Sequence, residues 1–359
     1  MSALERRQEQ VVARLAEREL GAMVIGDLVN VRYLTGYVGS NGVAVLAPER
    51  RLLFTDFRYV ASARAQTRGV EVVQAGRDLI GRVAEVLAEL APGGRVGVEA
   101  DHVTLARHAR LAAALEGTEI VPVSGLVEDL RVRKDPEEIA LMRRAAEIAD
   151  RAYEWLAGQR IVGRSERELA WELQGAMMRA GSEEPSFPII VAAAERGALP
   201  HAVPSPEPIP AGTLVVVDLG ATVEGYRSDC TRTFATGPLP DELLRAYEIC
   251  LAAQRAALEA VRPGVGAAEL DAVARGAIAA AGMGERFGHG LGHGVGMAVH
   301  ERPWVRPEGT ETLAPGMAFT VEPGIYVEGL GGVRIEDLVV VTDEGHEVLT
   351  RFPKQLLIL

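Results

Sequence analysis

Cysteine is nearly absent. Only Cys230 and Cys250 occur in 359 residues, which excludes a disulfide framework and leaves a thiolate zinc site short of ligands. Long apolar runs are absent too, so no segment reads as a membrane span. The N-terminal stretch MSALERRQEQVVARL is charged and helix-patterned, without the apolar core of a secretion signal. Positive charge is in deficit, 38 Lys and Arg against 50 Asp and Glu, a net −12 that argues against nucleic acid or an anionic membrane as partner. These absences leave a reduced cytoplasmic enzyme as the expectation. What is present is ordinary globular material, 48% hydrophobic and long enough for about two domains.

Short β-branched runs alternate with helical patterns in the first third. AMVIGD (22–27), GVAVLAP (42–48), RLLFTD (51–56), VEVVQA (70–75) and RVGVEA (95–100) read as strands. Residues 77–90 and 104–117 read as helices of an α/β layer. The pattern then changes, with an acidic cap at Asp135, Pro136 in the first helical position and a long amphipathic helix behind it. The spacing predicts two domains, 1–128 and 129–359, meeting near 126–134.

The second domain carries a weak internal repeat. ELAWELQGAMMRAG (168–181) and ELDAVARGAIAAAG (269–282) align without a gap, each behind a long helix and a turn holding Gly163 or Gly264. Two Ala-rich helices can match by chance; the shared offset of the upstream turn favours a duplication. Duplicated halves commonly leave a cleft between them.

Acidic residues then occur where an apolar strand should not hold them. In LVVVDLGATVEGYRSDCTRTFATG (214–237), Asp218 and Asp229 are expected opposite each other across a hairpin turning at Glu224–Gly225. Facing carboxylates repel unless a cation sits between them. Thr231 shares a face with Asp229, and Cys230 points away as an inert thiol. In FTVEPGIYVEGLGGVRIEDLVVVT (319–342), Glu322 and Glu336 lie symmetrically about Gly329, with Arg334 on the face of Glu336 and Asp337 on the other. Any one of these acids alone reads best as a solvated surface residue. Four, paired by hairpin symmetry in apolar strands, do not.

Between the hairpins runs GHGLGHGVGMAVHE (288–301), with His289, His293 and His300 among alternate glycines. No Lys-Ser/Thr follows, so a phosphate loop is excluded, and the glycines forbid an H-E-x-x-H helix. One imidazole added to four carboxylates makes a mixed O/N set suited to Mn, Co, Zn or Fe, and larger than one tetrahedral zinc requires. Two ions bridged by carboxylates fit such a set.

With DLG…SDCTRT, GHGLGHGVGMAVHE, VEPG and RIED in this order, the chain resembles the pita-bread metallopeptidases. It is most similar to their proline-specific branch, the Xaa-Pro aminopeptidases and Xaa-Pro dipeptidases (prolidases). NVRYLTGY (30–37) and FTDFRY (54–59) look like that branch's accessory domain, so the resemblance covers nearly the whole chain. It implies a fold of class α/β and α+β: an N-terminal α/β accessory domain and a duplicated α+β, pita-bread catalytic domain. It further implies that Asp218, Asp229, His293, Glu322 and Glu336 hold two divalent ions, Mn foremost with Co or Zn as alternatives, and that Asp229 and Glu336 bridge them. His201 and His300 would stabilise the transition state, Glu322 would also pass the proton, and His289 and Arg334 would line the pocket for proline. His102, His108 and His346 match no motif.

The reaction implied is attack by a metal-activated hydroxide on the carbonyl carbon before proline, in short peptides with proline second, by a homodimer. A dipeptidase needs a cation for the proline carboxylate. No arginine is clearly placed for that, Arg302 and Arg306 being the nearest, so the aminopeptidase is the expectation and the dipeptidase its alternative. Methionine aminopeptidases generally lack the accessory domain. A metal-free binding module of the same fold is the rival from outside enzymology.

Overall fold

The computed structural model describes residues 1–359, which divide into two compact units, Met1–Leu130 and Arg131–Leu359. No helix is long and apolar enough to cross a membrane.

The first unit is a six-stranded mixed sheet flanked by helices. Its strands are β1 (Ala22–Ile25), β2 (Val43–Leu46), β3 (Arg51–Thr55), β4 (Glu71–Gln74), β5 (Arg95–Glu99) and β6 (Glu119–Val123), in the order β4-β3-β2-β1-β5-β6. Buried Val, Leu and Phe from the strands pack on Val83, Leu87 and Leu111 of the helices Leu79–Leu90 and Leu105–Ala114. Those helices start at Asp78 and Thr104, whose side chains accept from Gly81 N and Arg107 N. β6, which the sequence pattern did not suggest, pairs in parallel with β5. Glu99, at the end of β5, is buried; its Oε2 accepts from Gly26 N and Asp27 N at 2.7 and 2.8 Å, and its Oε1 from Asn30 Nδ2 at 2.7 Å. Burial pushes its carboxyl up to about 7.

The second unit begins with the helix Pro136–Ala157, capped by Asp135 and Glu138 in a reciprocal box with Pro136 in the first turn. The helix pairs expected from the repeat are present: Pro136–Ala157 with Glu166–Arg179, and Asp241–Ala260 with Ala267–Ala280. Gly163 and Gly264 both take left-handed φ, 84° and 88°, at the same place in each turn. An isolated bridge follows each, Ser165 to Pro208 and Gly266 to Thr312. The same local device, used twice at one offset, supports the duplication.

Each pair of helices covers its own sheet. The first holds β7 (Ile190–Ala193), β8 (Leu214–Leu219) and β11 (Cys230–Ala235), with the small ribbon β9 (Thr222–Val223) and β10 (Tyr226–Arg227) at its tip. The second orders β12 (Gly292–Gly294), β13 (Glu301–Val305), β14 (Ala318–Val321), β17 (Asp337–Val341) and β18 (His346–Val348) as β13-β12-β14-β17-β18. A ribbon of β15 (Gly324–Val327) and β16 (Gly331–Arg334) extends from it. Tyr153 OH reaches the carbonyl oxygens of Val217 and Cys230, fixing the first hairpin to its helix.

The register of the first hairpin differs from expectation. Val223 pairs with Tyr226 and Asp218 with Thr231, so the two-residue turn Glu224–Gly225 sets Asp229 diagonal to Asp218, not opposite it. Both carboxylates keep the same face, because the shift is two residues and side chains alternate. The second hairpin has the expected register: Gly324 pairs with Arg334 and Val321 with Asp337, which leaves Glu322 and Glu336 at the break between its two ladders.

Candidate metal centre

The two hairpins are joined through backbone and threonines. Glu336 N donates to Thr231 O at 3.1 Å, and Thr233 Oγ1 donates to Arg334 O at 2.8 Å. Behind them the buried Arg232 reaches the carbonyl oxygens of Glu336 and Phe352 and pairs with Asp337 at 2.8 Å. Asp337 thus points away from the acidic face, as strand alternation requires.

On that face, one oxygen from each of Asp218, Asp229 and Glu336 lies within 4.8 Å of the others, and all three side chains are buried. Burial, then the charges of Glu336, Asp218 and Glu322, hold the Asp229 carboxyl well above the usual carboxylate range. Burial and the charges of Glu322 and Asp218 do the same to Glu336, and burial raises Glu322. The second hairpin delivers Glu322, whose Oε1 accepts from Thr320 Oγ1 at 2.9 Å and sits 3.3 Å from His293 Nε2. His293 Nε2 is also 3.7 Å from Asp229 Oδ2. On the other side of the ring, Nδ1 donates to Gly294 O at 3.1 Å, so the proton resides on Nδ1 and Nε2 turns its lone pair to the space it shares with the carboxylates, where a cation would accept it. The backbone bulge between His293 and Gly294 turns the ring inward. Gly292 permits this approach, since a Cβ there would lie 1.9 Å from Thr320 O.

The arrangement fits a divalent cation. Asp218 Oδ1 and Glu336 Oε1 are buried with no hydrogen-bond partner, a costly state for an acceptor, more so for a charged one. Four carboxylates and one imidazole are hard-to-borderline ligands, and positive charge among them inverts the repulsion that burial imposes. Neither thiol competes: Cys230 and Cys250 are buried, and each Sγ faces a backbone carbonyl, Glu336 O and Pro323 O.

The remaining residues singled out from the sequence surround this cluster. The His300 ring packs edge-on against His293, centroids 4.3 Å apart, and is solvent-exposed. Burial lowers the imidazole pKa of His289, His293 and His300 alike. His201 is exposed on the loop after β7, and the preceding Pro200 O accepts from Arg334 Nη1 at 3.2 Å. Arg334 donates through Nε to Thr231 Oγ1, through Nη1 to Tyr326 OH and through Nη2 to Asp218 Oδ2. Tyr326 OH in turn donates to His289 Nε2 at 2.9 Å, while His289 Nδ1 donates to Gly290 O. A directional relay therefore runs from Arg334 through Tyr326 to His289. Tyr326 and Thr320 were not anticipated. The available signal was the register about Gly329, which sets Tyr326 against Gly332 with room for its ring.

The model of metallopeptidase family M24 matches residues 140–343, and that of the Creatinase/Prolidase N-terminal domain matches residues 7–133. The chain belongs to metallopeptidase family M24, with the creatinase/prolidase-type α/β domain ahead of a pita-bread catalytic domain. It is 35% identical to the Xaa-Pro dipeptidase of Pyrococcus furiosus over 99% of this chain and 100% of that one. Among solved structures it superposes on the Xaa-Pro dipeptidase from Bacillus anthracis with a TM-score of 0.95, at 40% identity over 99% of this chain and 100% of that one. An X-Pro aminopeptidase from Thermotoga maritima gives a TM-score of 0.91 at 34% identity, over 98% and 99%. Taken together the comparisons favour the dipeptidase, the alternative stated from the sequence, over the aminopeptidase.

Proposed function

We propose that this protein is a dinuclear Xaa-Pro dipeptidase. Asp218, Asp229, His293, Glu322 and Glu336 would hold two divalent cations, and manganese is the ion we expect before cobalt or zinc. Cations so held supply Lewis acidity, which acidifies water and polarises a carbonyl oxygen. The observation that carries the reading is the buried acidic trio within 4.8 Å together with the partnerless oxygens of Asp218 and Glu336.

The chain's own residues do the rest. Glu322, whose Oε1 is engaged by Thr320, takes a proton from the attacking water at Oε2 and returns it to the prolyl nitrogen as the bond breaks. His201 and His300, exposed and unencumbered at the cluster, donate to the oxygen of the tetrahedral species. His289 and Arg334 line the proline pocket, and their relay through Tyr326 holds both in one rotamer. A prolyl nitrogen has no N–H before the bond breaks, so recognition at that atom cannot depend on one.

The names of the relatives support a dipeptide over a longer substrate. Metal-loaded enzyme should hydrolyse Xaa-Pro much faster than Xaa-Pro-Xaa′; comparable rates on the tripeptide would restore the aminopeptidase reading, which the Thermotoga maritima structure keeps in view. Dialysis against chelator, then restoration with manganese, cobalt or zinc separately, tests the metal. Sizing in solution tests the homodimer: a monomer with full activity refutes it.

A further inference from the structure

His201 lies on a loop that begins at Ala193, passes through the tight turn Ala194–Ala198 and ends at Ser205. Much of it is solvent-facing, with Leu199 54% and Val203 78% exposed. A loop so placed would sample many conformations unless something fixed it. We propose that Glu166 is that fixture, a positioning residue whose buried carboxylate ties both ends of the loop and so aims His201; the inference rests on the role given to His201 above.

Glu166 opens the helix Glu166–Arg179 and is 2% exposed. Its Oε1 accepts from Ala193 N at 2.7 Å, where the loop starts. Its Oε2 accepts from Ser205 N at 2.7 Å, where the loop ends, and from Arg196 Nε at 3.0 Å. Arg196 then reaches across to Val203 O. One carboxylate therefore grips the loop at its start, its first turn and its finish.

Helix capping does not explain this. Ser165 and Glu168 already form the reciprocal box at that terminus, so Glu166 is not needed there, and its oxygens turn to loop donors. Two contacts support the loop from behind. Gly332 backs onto Gly197 so closely that a Cβ would lie 2.0 Å from Gly197 O, and Arg334 holds Pro200 O. The side chains of Leu199, His201 and Val203 then line an open cavity of about 660 Å³.

The test is Glu166→Gln in the metal-loaded enzyme. Glutamine keeps the size but offers one acceptor oxygen to three donors, so at least one anchor is lost. The expected result is kcat on an Xaa-Pro dipeptide down by about 100-fold, the scale of a small misplacement of a reacting group. Metal content and KM should hold, and amide hydrogen exchange should speed up within 193–205 only. In a His201→Ala background the same change should cost almost nothing more, because both act through one imidazole. If Glu166→Gln does not fold, Arg196→Ala removes one anchor from a partly exposed side chain, and should give a smaller loss with the same non-additivity.

A full cost of Glu166→Gln on top of His201→Ala overturns the proposal, as does unchanged exchange within 193–205. If His201→Ala leaves kcat intact, the role of His201 itself is wrong and nothing remains to be aimed. The exchange readout still distinguishes that case, because the loop would loosen without any kinetic consequence.

Discussion

Arg334 Nη2 lies 2.7 Å from Asp218 Oδ2 with both side chains buried, while Asp218 Oδ1 has no hydrogen-bond partner. The arginine thus commits one oxygen of this carboxylate and leaves the other for a cation. Its remaining donors go to Thr231, Tyr326 and Pro200, a spread that only a planar guanidinium spans. Arg334→Lys should therefore weaken metal binding by about 10–100-fold, as loss of a supporting partner of a ligand does. Metal titration decides it: normal affinity with a raised KM would mean that Arg334 addresses substrate alone.

Asp229→Asn should lose bound metal and activity together, read by elemental analysis beside the assay. It should also do something less obvious. In chelator-treated protein the crowded carboxylates repel with nothing between them, so the neutral amide should raise the melting temperature by a few degrees, on the order of 1 kcal/mol. A metal-free variant that melts lower than the metal-free parent would count against electrostatic crowding.

His300 stands against His293 without a carboxylate contact in the structure. Substitution by alanine should lower kcat by about 100-fold or more, the scale of an oxyanion donor, with metal content retained. Loss of metal instead would move His300 among the ligands.

The acidic hairpins were legible because a carboxylate in a Val-rich strand violates burial, and a violation repeated at symmetric positions needs a common cause. Register was less legible. Symmetry about Gly329 matched the second ladder, whereas in the first the turn fell one residue later than the Asp218–Asp229 pairing assumed. A two-residue slip leaves alternation intact, so the face was right although the pairing was not. The Tyr326 relay was only half legible: the register about Gly329 sets Arg334 and Tyr326 on paired strands of one hairpin, but the step to His289 joins a separate segment, and periodicity carries no information about such a meeting. The Glu166 clamp was hidden likewise, since an acid in a first helical turn reads as a dipole partner.

Glu99 gives the accessory unit a pH signature. Its carboxyl is raised from 4.5 to about 7 by burial, so between those values the folded state binds more protons than the unfolded chain. Its contribution is fully present below pH 4.5 and is lost as pH rises through 7, a change of roughly 3 kcal/mol at most. Glu99→Gln cannot ionise and should flatten this fall, measured as unfolding free energy from denaturant titrations at pH 5 and 8. Equal slopes in parent and variant would show that another group is responsible.

Thr231 and Glu336, joined by a 2.6 Å hydrogen bond, stand 105 positions apart in the chain. A nascent polypeptide therefore exposes its first two acids long before the later glutamates leave the ribosome. Until then it carries an anionic strand pair with no counterpart. Fragments cut between the repeats should each be inert toward metal and regain it only when mixed, which makes the centre a reporter of whether both halves have docked.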